Sequence, residues 1–345
     1  ACSILLLSVF SVPISAESEQ QFGELQQCDL ANGQSIRLCR IAYRSFGELS
    51  QSRDNIIIFP TWFTGTSSNL IDYDLIGPGK LVDTNHFHVI AIDALADGVS
   101  SSPSNWTAEK SGMFPEITIG DMVKAEHALL KNILNISHVH AVIGISMGGM
   151  QTFQWVSQYP DFMDYAVAMD GSPKMTSYDI LQWQSHREVI QTLQQHNVPN
   201  PKIMELVNTL GMLTAWTPDY FVENIPAEDI AKFIHEEQAN QAGTHPDDYV
   251  AQLSAMINHD IYTASGKSEQ QMASFIKADM LVVSVSSDHM VNPATALKLA
   301  NALGAEKLVL DSNCGHLGTT CELDHVAARV KNFLNKPAKR IAKVP

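Results

Sequence analysis

The chain has 345 residues, with 22 Lys and Arg against 37 Asp and Glu, giving a formal charge of −15. This balance argues against a nucleic-acid reader, which needs a cationic face for phosphate. The composition, 45% apolar and 17% charged, excludes a generally disordered chain and leaves ample material for a core. At about 150 residues per domain, the length accommodates one large domain or two ordinary ones.

The first segment reads Ile-Leu-Leu-Leu-Ser-Val-Phe at 4–10, then Ser-Val-Pro-Ile-Ser-Ala, then a polar stretch from Glu17. A short apolar run followed by a Pro turn and small residues predicts a secretory signal over 1–16, cleaved near Ala16. The processed protein is then exported, to a periplasm or the outside. The run is too short for a membrane span, and no later window holds about 18 unbroken apolar residues. Cys2 would leave with the signal, so Cys28, Cys39, Cys314 and Cys321 remain, and four cysteines allow three pairings. Short-range pairing, Cys28 with Cys39 and Cys314 with Cys321, is preferred. Asn32-Gly33 between the first two is a hairpin-turn signal that brings its flanks together. Four buried free thiols are the alternative.

Apolar β-branched runs then alternate with helical patterns, which predicts a largely parallel sheet covered by helices on both faces. Strands are expected at Ser35–Tyr43, Asn55–Phe59, His88–Asp93, Val139–Ile145, Tyr165–Met169, Met280–Val285 and Lys307–Leu310. Helices are expected at Ile119–Leu134, Met147–Tyr159, Ala294–Leu303 and Glu322–Phe333, with Thr118 as N-cap of the first and Asp121 in its first turn. Between 174 and 277 the pattern changes to Gln- and Glu-rich amphipathic segments, such as Ile180–Gln195, Pro201–Leu213 and Ala227–Ala239, without a convincing strand. The organisation expected is a core of 17–173 and 278–338 interrupted by a helical cap, 174–277, and followed by a basic tail from Lys336.

Gly144-Ile-Ser146-Met-Gly148-Gly149 carries the most chemical information. It follows one expected strand and opens a helix, where glycines permit a sharp turn and leave a serine hydroxyl above the sheet edge. A phosphate loop is the alternative, but the segment lacks both a Lys-Ser/Thr ending and a GxGxxG. Serine needs a base to take its proton and a carboxylate to orient that base, in the order Ser, acid, His. His316, in the loop after the last expected strand, is the candidate base. Asp288 is the candidate acid, because Asn292 and Pro293 already fill the cap and first turn of the next helix; Asp170 is its rival. An oxyanion would be bound by the backbone N–H of Met147 and by that of Trp62 or Phe63, in the loop after Asn55–Phe59. His86 with His88, and His138 with His140, place two imidazoles on one strand face, but nothing completes a metal set and no metal is expected.

Phe114-Pro-Glu-Ile-Thr118-Ile-Gly-Asp121, Gly144-Ile-Ser146-Met-Gly-Gly-Met-Gln151, Tyr159-Pro160-Asp161, Thr64-Gly65, Gly98 to Pro103, and Ser254-Ala-Met256 with Asp260 together resemble the homoserine O-acetyltransferase family, over about Ser35 to Phe333. The resemblance implies an α/β-hydrolase fold, with a mostly parallel central sheet flanked by helices and a helical lid. It also implies a ping-pong reaction through an acyl-serine, with Ser146, Asp288 and His316 on the catalytic positions. The acyl donor, acetyl-CoA or an ester, is then a substrate and no bound cofactor is expected. Leu317 stands where the family usually carries an Asp that holds the acceptor's amino group. Arg187, the only Arg in the cap, is the candidate for an acceptor carboxylate. The reading is transfer of a short acyl group to a hydroxyl acceptor. The alternatives are an exported carboxylic-ester hydrolase using the same triad and a non-catalytic binding protein on this fold. A homodimer is one assembly the sequence leaves open.

Overall fold

The computed structural model describes residues 18–106, 113–240 and 243–337. The signal expected at 1–16 and most of the basic tail lie outside them. Ten strands form among these residues: β1 (Gln21–Asp29), β2 (Ser35–Phe46), β3 (Ile56–Pro60), β4 (Ile76–Gly77), β5 (Val82–Asp83), β6 (His88–Ile92), β7 (Val139–Ile145), β8 (Met163–Met169), β9 (Asp279–Val285) and β10 (Glu306–Leu310). Eight make one sheet in the order β1-β2-β6-β3-β7-β8-β9-β10, while β4 pairs only with β5. The β1–β2 and β2–β6 pairs are antiparallel, and from β6 to β10 every pairing is parallel.

The central parallel strands β3, β6, β7, β8 and β9 are mostly apolar and buried because both their faces are covered, whereas the edge strand β10, EKLVL, is only partly buried. On β3, Ile56 and Ile58 enter one apolar cluster while Ile57 and Phe59 enter the other. On β6, Ile90 and Ile92 split from Val89 and Ala91 in the same way, as the two-residue period of a strand requires. All seven strands expected from the sequence are present. β1 was not expected, and its composition explains why. It is a polar edge strand, QFGELQQCD, with two buried positions, and β2 is its one strand neighbour in the sheet.

The helices are α1 (Asn69–Asp72), α2 (Ile119–Ala128), α3 (Met147–Gln158), α4 (Ser177–Gln195), α5 (Asn200–Ala215), α6 (Pro218–Asn224), α7 (Ile230–Asn240), α8 (Pro246–Ile257), α9 (Ile261–Ser265), α10 (Glu269–Phe275), α11 (Ala294–Leu303), α12 (Gly318–Cys321) and α13 (Leu323–Leu334). Thr118 caps α2 reciprocally with Asp121: its hydroxyl accepts the Asp121 N–H and its own N–H donates to the Asp121 carboxylate. The α-helix expected to reach Leu134 instead ends at Ala128 and continues as a π-turn, Leu129–Ile133. Between 174 and 277 the described residues form helices α4 to α10 and no strand.

Cys28–Cys39 and Cys314–Cys321 are both bonded, the short-range pairing favoured above. The first spans the β1–β2 hairpin, whose turn uses Gly33 at φ +83°. Among the described residues no helix is long and apolar enough to cross a membrane.

Candidate active site

In a parallel sheet the carboxyl ends of the strands lie together along one edge, where ligands bind in open α/β folds. The loops after β3, β6, β7, β8, β9 and β10 all leave there. β7 ends at Ile145, and Ser146 makes the turn into α3 with φ +57° and ψ −121°. A non-glycine residue holds that conformation only when its surroundings impose it. Two contacts do so: the Ser146 N–H donates to the Met169 carbonyl on β8 at 2.9 Å, and its own carbonyl accepts from Met150 at 2.9 Å. The flanking glycines are required by close approach. A Cβ on Gly144 would lie 2.1 Å from the Gly148 carbonyl oxygen, and one on Gly149 would lie 2.7 Å from that of Met169.

His316 comes from a short turn, Gly315–Leu317, after β10. Its Nε2 lies 2.8 Å from Ser146 Oγ, and its Nδ1 lies 2.7 Å from Asp288 Oδ2. Asp288 follows β9, and its other oxygen, Oδ1, accepts the N–H groups of Met290 and Val291 at 2.8 and 2.9 Å. The turn beyond Asp288 therefore fixes the carboxylate while Oδ2 faces the imidazole. Asn292 accepts the Ala294 N–H at 3.0 Å ahead of α11, so Asp288 has no capping duty there. Burial disfavours a charged His316. The charge and hydrogen bond of Asp288, helped by the charges of Asp170 and Asp179, outweigh it, and the imidazole pKa is raised above its ordinary value.

Asp170, the rival acid, sits at the end of β8 with φ +46° and is buried. It does not take the His316 proton position, which faces Asp288. Without a well-formed hydrogen bond to its carboxyl among the described residues, it is pushed up to about 7. Burial drives this rise, opposed by the His316 charge and the Thr319 hydroxyl and assisted by the Asp288 charge.

The loop after β3 accounts for most of its own donors. The N–H groups of Thr61, Gly65, Thr66 and Ser67 go to Ile92 O, Trp62 O, Asn69 Oδ1 and Asp93 Oδ1, and that of Thr64 goes to Gln252 Oε1 at 2.8 Å. Trp62 and Phe63 are left with unpartnered N–H groups among the described residues, and these are the two positions expected to serve an oxyanion. The Met147 N–H, first in α3, is one of the orphan donors every helix start leaves. Thr61 is pinned further by Gln151 of α3, whose Nε2 donates to its carbonyl at 2.9 Å, and by its hydroxyl, which accepts the Ala94 N–H at 3.0 Å. The Phe63 ring packs edge-on against Trp183 and Tyr249, at 5.6 and 4.5 Å between centroids.

Other expected positions fall differently. Leu317 is half-buried next to His316, with its N–H on the Cys314 carbonyl. Arg187, on α4, makes no hydrogen bond or ion pair among the described residues. The histidines expected as pairs on strand faces are not so placed, because His86 precedes β6 and His138 precedes β7. His88 bonds the Gly47 carbonyl, His138 the Asp161 carbonyl and Asp164, and His140 lies between Phe87 and Tyr165. No cluster of three or more ligating side chains exists among the described residues. Sequence reasoning did not find Gln252, nor did it give Gln151 a task, because neither lies near its partner in the chain.

A serine on a strand-to-helix turn, facing a buried His–Asp pair and unpartnered backbone donors, is the arrangement of an enzyme that forms acyl-serine intermediates. The comparisons agree. The alpha/beta hydrolase fold family matches residues 54–319, most of the chain, and the protein belongs to it. Ethyl acetate hydrolase of Pseudomonas veronii is 27% identical over 327 residues, covering 90% of this chain and 93% of its own. Homoserine O-acetyltransferase of Methanohalophilus mahii is 26% identical over 340 residues, covering 88% of this chain and 70% of its own. Among solved structures, that of the acetyl esterase MekB superposes with a TM-score of 0.85 at 26% identity, covering 92% of this chain and 97% of that one. The protein is thus an acyltransferase or hydrolase of the α/β-hydrolase fold, similar to the homoserine O-acetyltransferases.

Proposed function

We propose that the protein hydrolyses short-chain carboxylic esters, with water resolving the acyl-serine. Ser146 Oγ attacks the ester carbonyl as its proton passes to His316 Nε2, and Asp288 holds the imidazole and offsets the charge it gains. The oxyanion is held by the N–H of Met147 and that of Trp62 or Phe63. Collapse of the adduct expels the alcohol, which takes the proton back from His316. Water then attacks the acyl-serine with His316 as base, and the acid leaves. No group beyond ester and water is consumed.

The observation that carries the hydrolase reading is Leu317. An apolar side chain beside the catalytic base cannot compensate the desolvation of an acceptor's ammonium group, and Arg187 is not tied toward the triad. The likeness to ethyl acetate hydrolase and to an acetyl esterase supports the same choice. The second reading, transfer to a hydroxyl acceptor from an ester or acetyl-CoA, is favoured by the likeness to homoserine O-acetyltransferases. Export is part of the proposal, supported by two disulfides of a kind stable in oxidising compartments. Turnover of p-nitrophenyl acetate with and without added alcohols or homoserine tests the choice. Acetate as sole product, at a rate unaffected by acceptor, is expected; acceleration with acylated acceptor as product would establish transfer instead.

A further inference from the structure

Helix α8, in the segment between the two parts of the sheet, reaches the loop expected to bind the oxyanion. Gln252 is fully buried and spends both ends of its amide on main chain. Its Oε1 accepts the Thr64 N–H at 2.8 Å, and its Nε2 donates to the Leu95 carbonyl at 3.2 Å. Thr64 is the residue after Phe63 and is held at φ +61°, an uncommon conformation for a β-branched residue. Its N–H has no backbone acceptor among the described residues, and Gln252 supplies one. One turn earlier on the same face of α8, Tyr249 packs on the Phe63 ring at 4.5 Å and Asp248 accepts from the N–H and hydroxyl of Ser104 at 2.8 and 2.5 Å. The loops after β3 and β6 are therefore both fastened to one stripe of a helix far away in sequence.

We infer that Gln252 is a positioning residue: it sets the Thr64 peptide, and through it the orientation of the Trp62 and Phe63 N–H groups, so that α8 must be seated for the oxyanion hole to be in register. A misplacement of about 1 Å in such donors costs on the order of 100-fold in rate. A residue acting this way changes transition-state binding and leaves substrate binding largely alone. The inference rests on the acyl-serine chemistry proposed above.

Gln252→Met removes both hydrogen bonds at nearly constant shape; Gln252→Asn is too short to hold both partners; Gln252→Glu retains an acceptor for Thr64. Each is assayed for kcat and KM on p-nitrophenyl acetate and for affinity toward 1,1,1-trifluoro-2-butanone, whose adduct with the serine places an oxyanion in the hole. The expected result is a loss of fivefold or more in kcat for Gln252→Met, KM within threefold of wild type, and a matching loss of trifluoroketone affinity. Gln252→Glu, whose buried carboxyl must stay protonated to face the Leu95 carbonyl, recovers part of the rate lost in Gln252→Met. Where Gln252→Met does not fold, Gln252→Asn carries the same expectation. A folded variant with smaller losses, or with KM raised and kcat unchanged, overturns the inference. Absence of turnover and of trifluoroketone binding in the wild-type protein would instead overturn the acyl-serine reading itself.

Discussion

Replacing Asp288 by Asn keeps the shape of the site and changes its proton bookkeeping. The carboxylate has two separate tasks: Oδ1 accepts from Met290 and Val291, and Oδ2 accepts from His316 Nδ1 at 2.7 Å. In the amide only the carbonyl oxygen can accept, so it stays with the two backbone donors and the NH2 turns to the imidazole. His316 must then accept at Nδ1 and carry its proton on Nε2, the atom 2.8 Å from Ser146 Oγ. In that tautomer it cannot take the serine proton. The imidazolium formed in the reaction also loses its neighbouring charge, worth about 4 kcal/mol at 4 Å and an effective dielectric of about 20, or about 10³ in rate. Together these predict a fall in kcat of about 10³- to 10⁴-fold, with KM changed little. The assay is steady-state turnover of p-nitrophenyl acetate, with circular dichroism to establish folding. A folded Asp288→Asn protein within tenfold of wild type would refute the assignment of the acid.

Three further outcomes follow from the same geometry. Because the His316 pKa is raised above the ordinary value of about 6.5, the acid limb of kcat/KM, measured as initial rates against pH, has its half-point above 6.5; a midpoint at or below that value contradicts the environment described. Glu126 is buried with the Trp155 indole donating to it at 2.8 Å, and burial pushes it up to about 8 despite that bond. The folded state thus holds this proton more tightly than the unfolded chain, and stability is lost as pH rises from about 4.5 to about 8. At full ionisation the cost is up to about 5 kcal/mol, so urea midpoints at pH 5 and pH 9 should differ less in Glu126→Gln than in wild type, and equal differences would count against it. The Cys314–Cys321 bond brackets His316, so replacing both cysteines by Ser is expected to cost roughly 2–3 kcal/mol and to lower kcat. The same change at Cys28 and Cys39 should lower Tm alone, and equal effects on kcat would contradict the distinction.

The parallel strands were legible because each carries a short, mainly apolar and β-branched run, and their carboxyl ends fix where functional loops gather. Ser146 was legible from its glycines and its place between a strand and a helix. Asp288 and Asp170 were harder to separate, since both follow strands that end at the same edge; only the direction of His316 Nδ1 distinguishes them. β1 was missed because an edge strand with one paired side needs little apolar character. Gln252 carried no local signal at all. Its partners, Thr64 and Leu95, lie 188 and 157 residues away, and a glutamine on an amphipathic helix reads as surface until the fold buries it.

The most direct test of the account is covalent. Incubation with a fluorophosphonate followed by peptide mapping should place a single adduct on Ser146, with labelling abolished in His316→Ala. A folded protein that takes no label, or takes it on another residue, would contradict the claim that these side chains form an acyl-transfer centre.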